Sequence, residues 1–304
     1  MENEEGVTVP DERADLRPVN ALVYPTASVF LDAVRPTLGT HEAEHHLVLG
    51  IAESVSADPS SEADFFAMAV EDHLGLALAA IMTGSRPLLV ASDREDVTES
   101  APLLWDELEK AGRAPTHVIG AVGQIESVVQ EWTRRRGRVA RLAMRQRVYK
   151  LVEVGPLPSV SGRLRIATTD DVDLVTAWIT AFEAEALGSV AAVVSSSARV
   201  IAERRLAAGE VFLWCDPEPR TMAGSARPTK RAVAVNAVYT PPEWRRRGYA
   251  SACVAELSRL LLRRGFEFCV LYTDLENPTS NAIYTRIGYR PVRDFLMYDL
   301  REGR

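Results

Sequence analysis

AVNAVYTPPEWRRRGYASACVAELSRLLLRRGFEFCVLYTDLENPTSNAIYTRIG, residues Ala234 to Gly288, is the stretch whose reading decides the fold. An apolar run reads as a strand, and an arginine-rich turn follows it and ends in Gly248. Then come a helix, a second strand, and a second helix carrying Asn281 and Tyr284. A strand that feeds a turn and then a helix points several free backbone N–H groups at one spot. Gly248 allows close backbone approach, the helix start adds the positive end of its dipole, and three arginines add charge. Pro241 and Pro242 lack N–H donors, so the strand is expected to stop and splay there, leaving a slot. The unit is therefore suited to a phosphorylated carrier.

The rest of the chain sets the frame. Its 304 residues suit two domains, with 47% hydrophobic and 25% charged residues. A net charge of -7 argues against a dedicated nucleic-acid binder. Cys215, Cys253 and Cys269 are odd in number and lie in apolar runs, which suggests neither a disulfide framework nor a zinc site. The sequence shows neither a leader nor an apolar run long enough to span a bilayer, so a cytoplasmic protein is expected.

Residues 1–20 are acidic and poor in apolar side chains, as in a disordered tail. Helical spacing follows over Ser28 to Val34 and Thr40 to Val55, with Thr40 as a plausible N-cap. Phe65 to Val70, Leu74 to Met82 and Pro87 to Ala91 read as a strand meander. A helix over Pro102 to Ala111, a strand over His117 to Val122 and a helix over Gln124 to Arg136 lead to one long or two short strands at Val139 to Val154. GPLPSVSG, residues 155–162, has linker composition. Beyond it the order repeats: strand at Arg163, helices from Asp170 to Leu187 and Ser195 to Ala208, a meander, the opening stretch, and a final pair of strands over Arg290 to Leu300. The reading is two copies of one α+β fold, 21–154 and 163–304, rather than two unrelated α+β domains.

Arg245-x-x-Gly248-x-Ala250 resembles the pyrophosphate-binding signature of the GNAT superfamily of acyl-CoA N-acyltransferases. Asn277, followed seven residues later by Tyr284 and then by Gly288-Tyr289, is similar to that superfamily's second signature. The wording around both looks most like the glycine N-acyltransferase-like branch, over residues 163–300. The resemblance implies two tandem GNAT-like domains, each a mostly antiparallel mixed sheet flanked by helices. It also implies acetyl-CoA or another acyl-CoA as co-substrate, with no metal. Backbone groups of Val238 and Thr240, beside Tyr239, would hold the pantetheine arm. Backbone N–H groups across Arg245, Arg246, Arg247, Gly248, Tyr249 and Ala250 would hold the pyrophosphate. Asn277, with Ser280 beside it, would bond the arm, and Tyr284 would protonate the departing thiolate. An amine would attack the thioester directly, in a ternary complex.

Several readings stay open. Asn277 before Pro278 is also a good helix cap. Glu243, Asp274, Glu183 and Glu185 are all candidates for the general base, and a base acting through water would leave no signature. The acceptor is a small-molecule or peptide amine of unspecified kind, and the chain is expected to be a monomer or homodimer without nucleic-acid or membrane partners. A non-catalytic acyl-CoA sensor is the alternative function. His41-Glu42-Ala43-Glu44-His45 has the letters of a zinc-protease helix but lacks a third histidine downstream, so it reads as an amphipathic helix start. The arginines of 134–147 lack interleaved aromatics and suit a helix C-terminus. In the first copy, the place of the arginine turn is taken by Ser92 to Ala101, which is acidic and has no glycine. An acidic turn repels pyrophosphate, so this copy is expected to be degenerate and the second catalytic.

Overall fold

The computed structural model describes residues 19–187 and 198–301. The first half contains β1 (Asn20–Val23), α1 (Ala27–Leu38), α2 (Glu42–Ala57), β2 (Phe65–Asp72), β3 (Gly75–Thr83), β4 (Leu88–Ala91), α3 (Ala101–Lys110), β5 (His117–Ala121), α4 (Ile125–Arg136) and β6 (Arg141–Leu151). The second contains β7 (Arg163–Ile166), α5 (Val172–Leu187), α6 (Ala198–Ala207), β8 (Val211–Cys215), β9 (Pro219–Ala226), β10 (Ala232–Tyr239), α7 (Tyr249–Arg263), β11 (Phe268–Asp274), α8 (Pro278–Ile287) and β12 (Arg290–Asp299). The two series correspond element by element, as the repeat predicts. The sequence-based tail falls mostly outside the described residues, as does the start of the helix expected from Ser195.

Local chemistry explains most boundaries. Thr26 caps α1 by accepting from Val29 N, Gly137 ends α4 in the left-handed region, and Gly288 does the same for α8. Thr40 is not the cap expected: its hydroxyl donates to Thr37 O, and a short 3-10 turn over Gly39–His41 leads into α2. The helix expected from Asp170 starts as a 3-10 turn with a Thr168–Asp171 capping box. The segment 139–154 forms a single strand, and so does 290–300, where a pair was expected. Two register shifts let β12 bend and continue without a turn.

The described strands form one 12-stranded sheet, in the order β1-β2-β3-β4-β5-β12-β6-β11-β10-β9-β8-β7. Each half gives its last strand to the other: β12 pairs with β5, β6 pairs with β11, and the two exchanged strands pair with each other. Only β4–β5 and β10–β11 are parallel pairs among the described strands.

Strand alternation divides the core into two faces. Val233 and Val235 of β10 pack with α7 and α8, and Leu296 of β12 packs with α3 and α4. On the other face, Ala232, Ala234, Val270 and Phe295 pack beneath α1 and α2, which therefore cover strands of both halves. Residues of α5 and α6 pack on β8 and on Tyr239. No helix among the described residues is long and apolar enough to cross a membrane.

Candidate functional site

The slot is present, but its origin differs from expectation. Strands β10 and β11 pair only over Ala232–Ala234 and Phe268–Val270, after which β11 continues to Asp274 beside β6. The parting therefore begins at Val235, before the prolines. Its cause is a bulge: the register with β9 skips from Asn236 to Tyr239, and Ala237 adopts φ 49. Beyond Ala234 the β11-facing backbone groups of β10 have no strand partner in β11, which leaves them toward the slot. Pro242 instead starts the 3-10 turn Pro242–Trp244 that carries the chain to Gly248.

Gly248 stands at the N-cap of α7 with φ 83, and no side chain caps that helix. The first-turn N–H groups of Tyr249 and Ala250 are thereby left for a ligand or water. A side chain at Gly248 would meet Val160 Cγ2 at 3.0 Å, so the 155–162 segment lies against this turn. The three arginines face different ways. Arg245 donates through Nε to Thr240 O at 2.8 Å and grips both Glu185 carboxylate oxygens at 2.7 and 2.8 Å. Arg247 lies over the Trp244 ring, as does Arg220. Arg246, at φ 62, has no ion pair among the described residues. Tyr249 donates to Asp216 at 2.7 Å, tying α7 to the β8–β9 hairpin.

On the opposite wall, Asn277 Oδ1 accepts from Ser280 N at 3.0 Å, which makes it the α8 cap. Asn281 was not among the sequence-based site residues, yet its amide bridges this wall. It donates to Asp274 O at 2.9 Å and to Asn277 O at 2.8 Å, and accepts from Tyr149 of β6 at 2.9 Å. Only its place one turn beyond Asn277, on the same helix face, hinted at this role. Tyr284 lies two turns beyond Asn277 and is 9% exposed, with its ring edge-on to Tyr289 at 6.1 Å. Its hydroxyl has no hydrogen-bond partner among the described residues, and burial pushes its pKa up to about 12.

The candidate bases separate clearly. Glu185 is held by Arg245, and Asp274 accepts from Glu276 N at 2.8 Å. Glu243 is an exposed residue of the 3-10 turn. Glu183 on α5 is half-buried, and that burial raises its pKa against the opposing pull of Arg86.

The equivalent place in the first half is closed by its own side chains. Gln124 donates from Nε2 to Ser92 O at 2.8 Å and to Arg94 O at 2.7 Å, spanning the gap where β4 and β5 part. Pro102 removes one first-turn donor from α3. His41 Nδ1 and His45 Nε2 both approach Asp93 Oδ1, at 3.1 and 2.7 Å, and the described residues contain no group of three or more His, Cys, Asp or Glu able to hold a metal ion.

Comparisons with known proteins bear on the fold. Residues 219–296 match the family model described as FR47-like protein. No curated protein matches the chain. A GCN5-related N-acetyltransferase from Sphaerobacter thermophilus is 17% identical with a TM-score of 0.60, the alignment covering 98% of each chain. A GNAT-family acetyltransferase from Colwellia psychrerythraea is 11% identical with a TM-score of 0.53, covering 93% of this chain and 100% of its own. A tandem GNAT protein from the clavulanic acid biosynthesis pathway is 11% identical with a TM-score of 0.51, covering 94% of this chain and all of its own. At such identities the likeness is one of fold. Together with the element-by-element repeat, it shows that this chain has the tandem GNAT fold.

Proposed function

We propose that the chain is an N-acyltransferase whose second copy, 163–304, moves an acyl group from acyl-CoA to an amine, with 21–154 as a supporting copy joined by 155–162. Acetyl-CoA is the proposed donor, and likeness to the glycine N-acyltransferase-like branch is part of the same proposal. The observation that carries the reading is the parting of β10 from β11 directly before an α7 start that no side chain caps. The first copy has the same strands, but Gln124 fills the gap.

The residues present fit the donor. First-turn N–H groups of α7 would hold its pyrophosphate, with Arg246 free to add charge. Val238, beyond the last residue of β10 that pairs with β11, would bond the pantetheine arm. The Thr240 carbonyl accepts from Arg245, and the Thr240 N–H would serve that arm. The donor supplies an activated thioester. Glu183 accepts the amine's proton as nitrogen bonds to the acyl carbon, and Tyr284 gives its proton to the sulfur as the carbon–sulfur bond breaks. Solvent then resets both side chains. Burial suits Tyr284 to this role by keeping it protonated near neutral pH.

An acceptor screen across amino acids, polyamines and peptides, reading free CoA thiol from acetyl-CoA, tests the proposal. Release dependent on one acceptor class is the expected result. Tight acetyl-CoA binding with no release from any acceptor would overturn transfer and leave a sensor.

A further inference from the structure

We propose that the Arg245 side chain serves the acceptor side of the slot and not the donor's pyrophosphate. By gripping Glu185 it pins the C-terminal end of α5 and so positions Glu183 for the incoming amine. This deepens the transfer reading above and rests on it for the role of Glu183 as base.

The two faces of the sheet separate the roles. Strand β8 turns Phe212 and Trp214 toward α7, and Val211, Leu213 and Cys215 toward α5 and α6, so α5 and α7 lie on opposite faces. The backbone at Arg245 leads on to the α7 start, where the pyrophosphate is proposed to sit. Its side chain instead turns back past Tyr239, with Cζ 5.8 Å from the ring centroid. Tyr239 belongs to the α5 face, and its ring lies 6.2 Å from that of Trp178. Arg245 Nε donates to Thr240 O at 2.8 Å, and Nη2 donates to both Glu185 oxygens at 2.8 and 2.7 Å. Two of the three guanidinium nitrogens are therefore spent on the end of β10 and on α5.

Helical spacing explains why Glu185 is within reach. Val175, Trp178 and Phe182 of α5 pack toward the sheet, and Glu185 stands one turn beyond Phe182 on the same stripe. It continues that stripe past the apolar contact, where Tyr239 gives way to the end of β10. That end is itself fixed: Thr240 Oγ1 lies 2.7 Å from Thr221 Oγ1, and Thr221 Oγ1 donates to Tyr239 O at 2.7 Å. An exposed ion pair adds little to stability, so the consequence of this one is geometric. A planar guanidinium anchored through Nε has its remaining donors aimed in fixed directions, which sets where the carboxylate stands.

Glu183 shares the last turns of α5 with Glu185. It is half-buried and feels Arg86, which the first half supplies from the turn between β3 and β4. Arg204 of α6 bears on Arg86 in turn. Glu183 thus stands between a helix end tied to β10 and a turn of the other half, and freeing that helix end lets it move into solvent. Arg245 acts through Glu185 and touches no reacting atom, which makes it a positioning residue.

Titration calorimetry with acetyl-CoA, together with kinetics on the amine that the acceptor screen selects, tests the assignment. Arg245→Gln and Glu185→Gln should each leave the Kd for acetyl-CoA within about threefold of wild type and lower kcat at least about tenfold, because a displaced catalytic group is costly. The double variant should be no slower than either single one, since both break the same contact. It also keeps the local charge balance, so its acid limb in the kcat–pH profile should move to lower pH as Glu183 loses the burial that raises its pKa. Weaker acetyl-CoA binding by Arg245→Gln, or tighter binding by Glu185→Gln, beyond that threefold would assign the guanidinium to the pyrophosphate and overturn the proposal. Multiplied losses in the double variant, or an unmoved acid limb, would overturn it while leaving transfer intact. If no amine is acetylated, transfer falls, and hydrogen exchange of the α5 amides over residues 179–185 decides the pinning separately. Faster exchange in both variants with acetyl-CoA affinity kept supports it, and unchanged exchange overturns it.

Discussion

Tyr149 of β6 donates its hydroxyl to Asn281 Oδ1 of α8 at 2.9 Å, so a strand from the first half fixes an amide at the mouth of the second half's slot. Asn281 in turn donates to Asp274 O and Asn277 O, joining the end of β11 to the start of α8. The exchanged strand therefore bears on the proposed site as well as on the sheet. Tyr149→Phe should cost about 1 kcal/mol of stability, the net worth of one hydrogen bond. Asn281→Ala should cost more, because it removes three side-chain hydrogen bonds where Tyr149→Phe removes one. Urea unfolding measures both, and equal effects would show that the amide does not act as a bridge.

Tyr284→Phe should keep acetyl-CoA affinity and lower kcat by roughly 10²-fold, since the ring packing against Tyr289 survives and only the hydroxyl is lost. Unchanged kcat would remove Tyr284 from the proton pathway. Calorimetric titration with acetyl-CoA separates this outcome from a folding defect.

Gly248→Ala places a side chain at φ 83, against Val160 Cγ2 at 3.0 Å. The left-handed conformation alone costs roughly 1–2 kcal/mol for an L-residue. The turn is expected to shift, weakening acetyl-CoA binding at least tenfold with a small loss of Tm. Wild-type affinity in this variant would show that the α7 start does not bind the donor.

His46 predicts a pH-dependent stability. Its folded value of about 3 lies below the ordinary 6.5, because burial and the nearby Arg227 charge disfavour the protonated ring. Between those values the unfolded chain binds a proton that the folded chain does not, so this contribution is present above 6.5 and is lost as pH falls towards 3. The slope should be about 1.4 kcal/mol per pH unit well inside that window. Urea unfolding at pH 6.5, 5.5 and 4.5 should show a shallower acid decline for His46→Leu than for the wild type. Parallel declines would mean that the ring already escapes to solvent.

Much of the architecture is legible in the chain. The order of elements repeats on either side of residues 155–162, Gly248 marks the start of α7, and Asn277 and Gly288 bracket α8. These signals are local: a cap, a left-handed glycine or an apolar period acts over a few residues and can be read where it stands. The same locality misplaced the slot. Pro241 and Pro242 are visible breakers, whereas the bulge at Asn236 to Tyr239 comes from pairing with β9 and has no residue signature of its own.

The sequence by itself determined that the chain is a doubled α+β fold with one glycine-started, arginine-rich turn and one acidic counterpart. Only the tertiary structure decided that β6 and β12 change places, since a strand's partner depends on which edges are free and not on its own composition. Tertiary structure also brought His46 to Arg227 and Arg205 across more than half the chain. No spacing rule connects such residues, because they meet only when α2 of one half lies across the strands of the other.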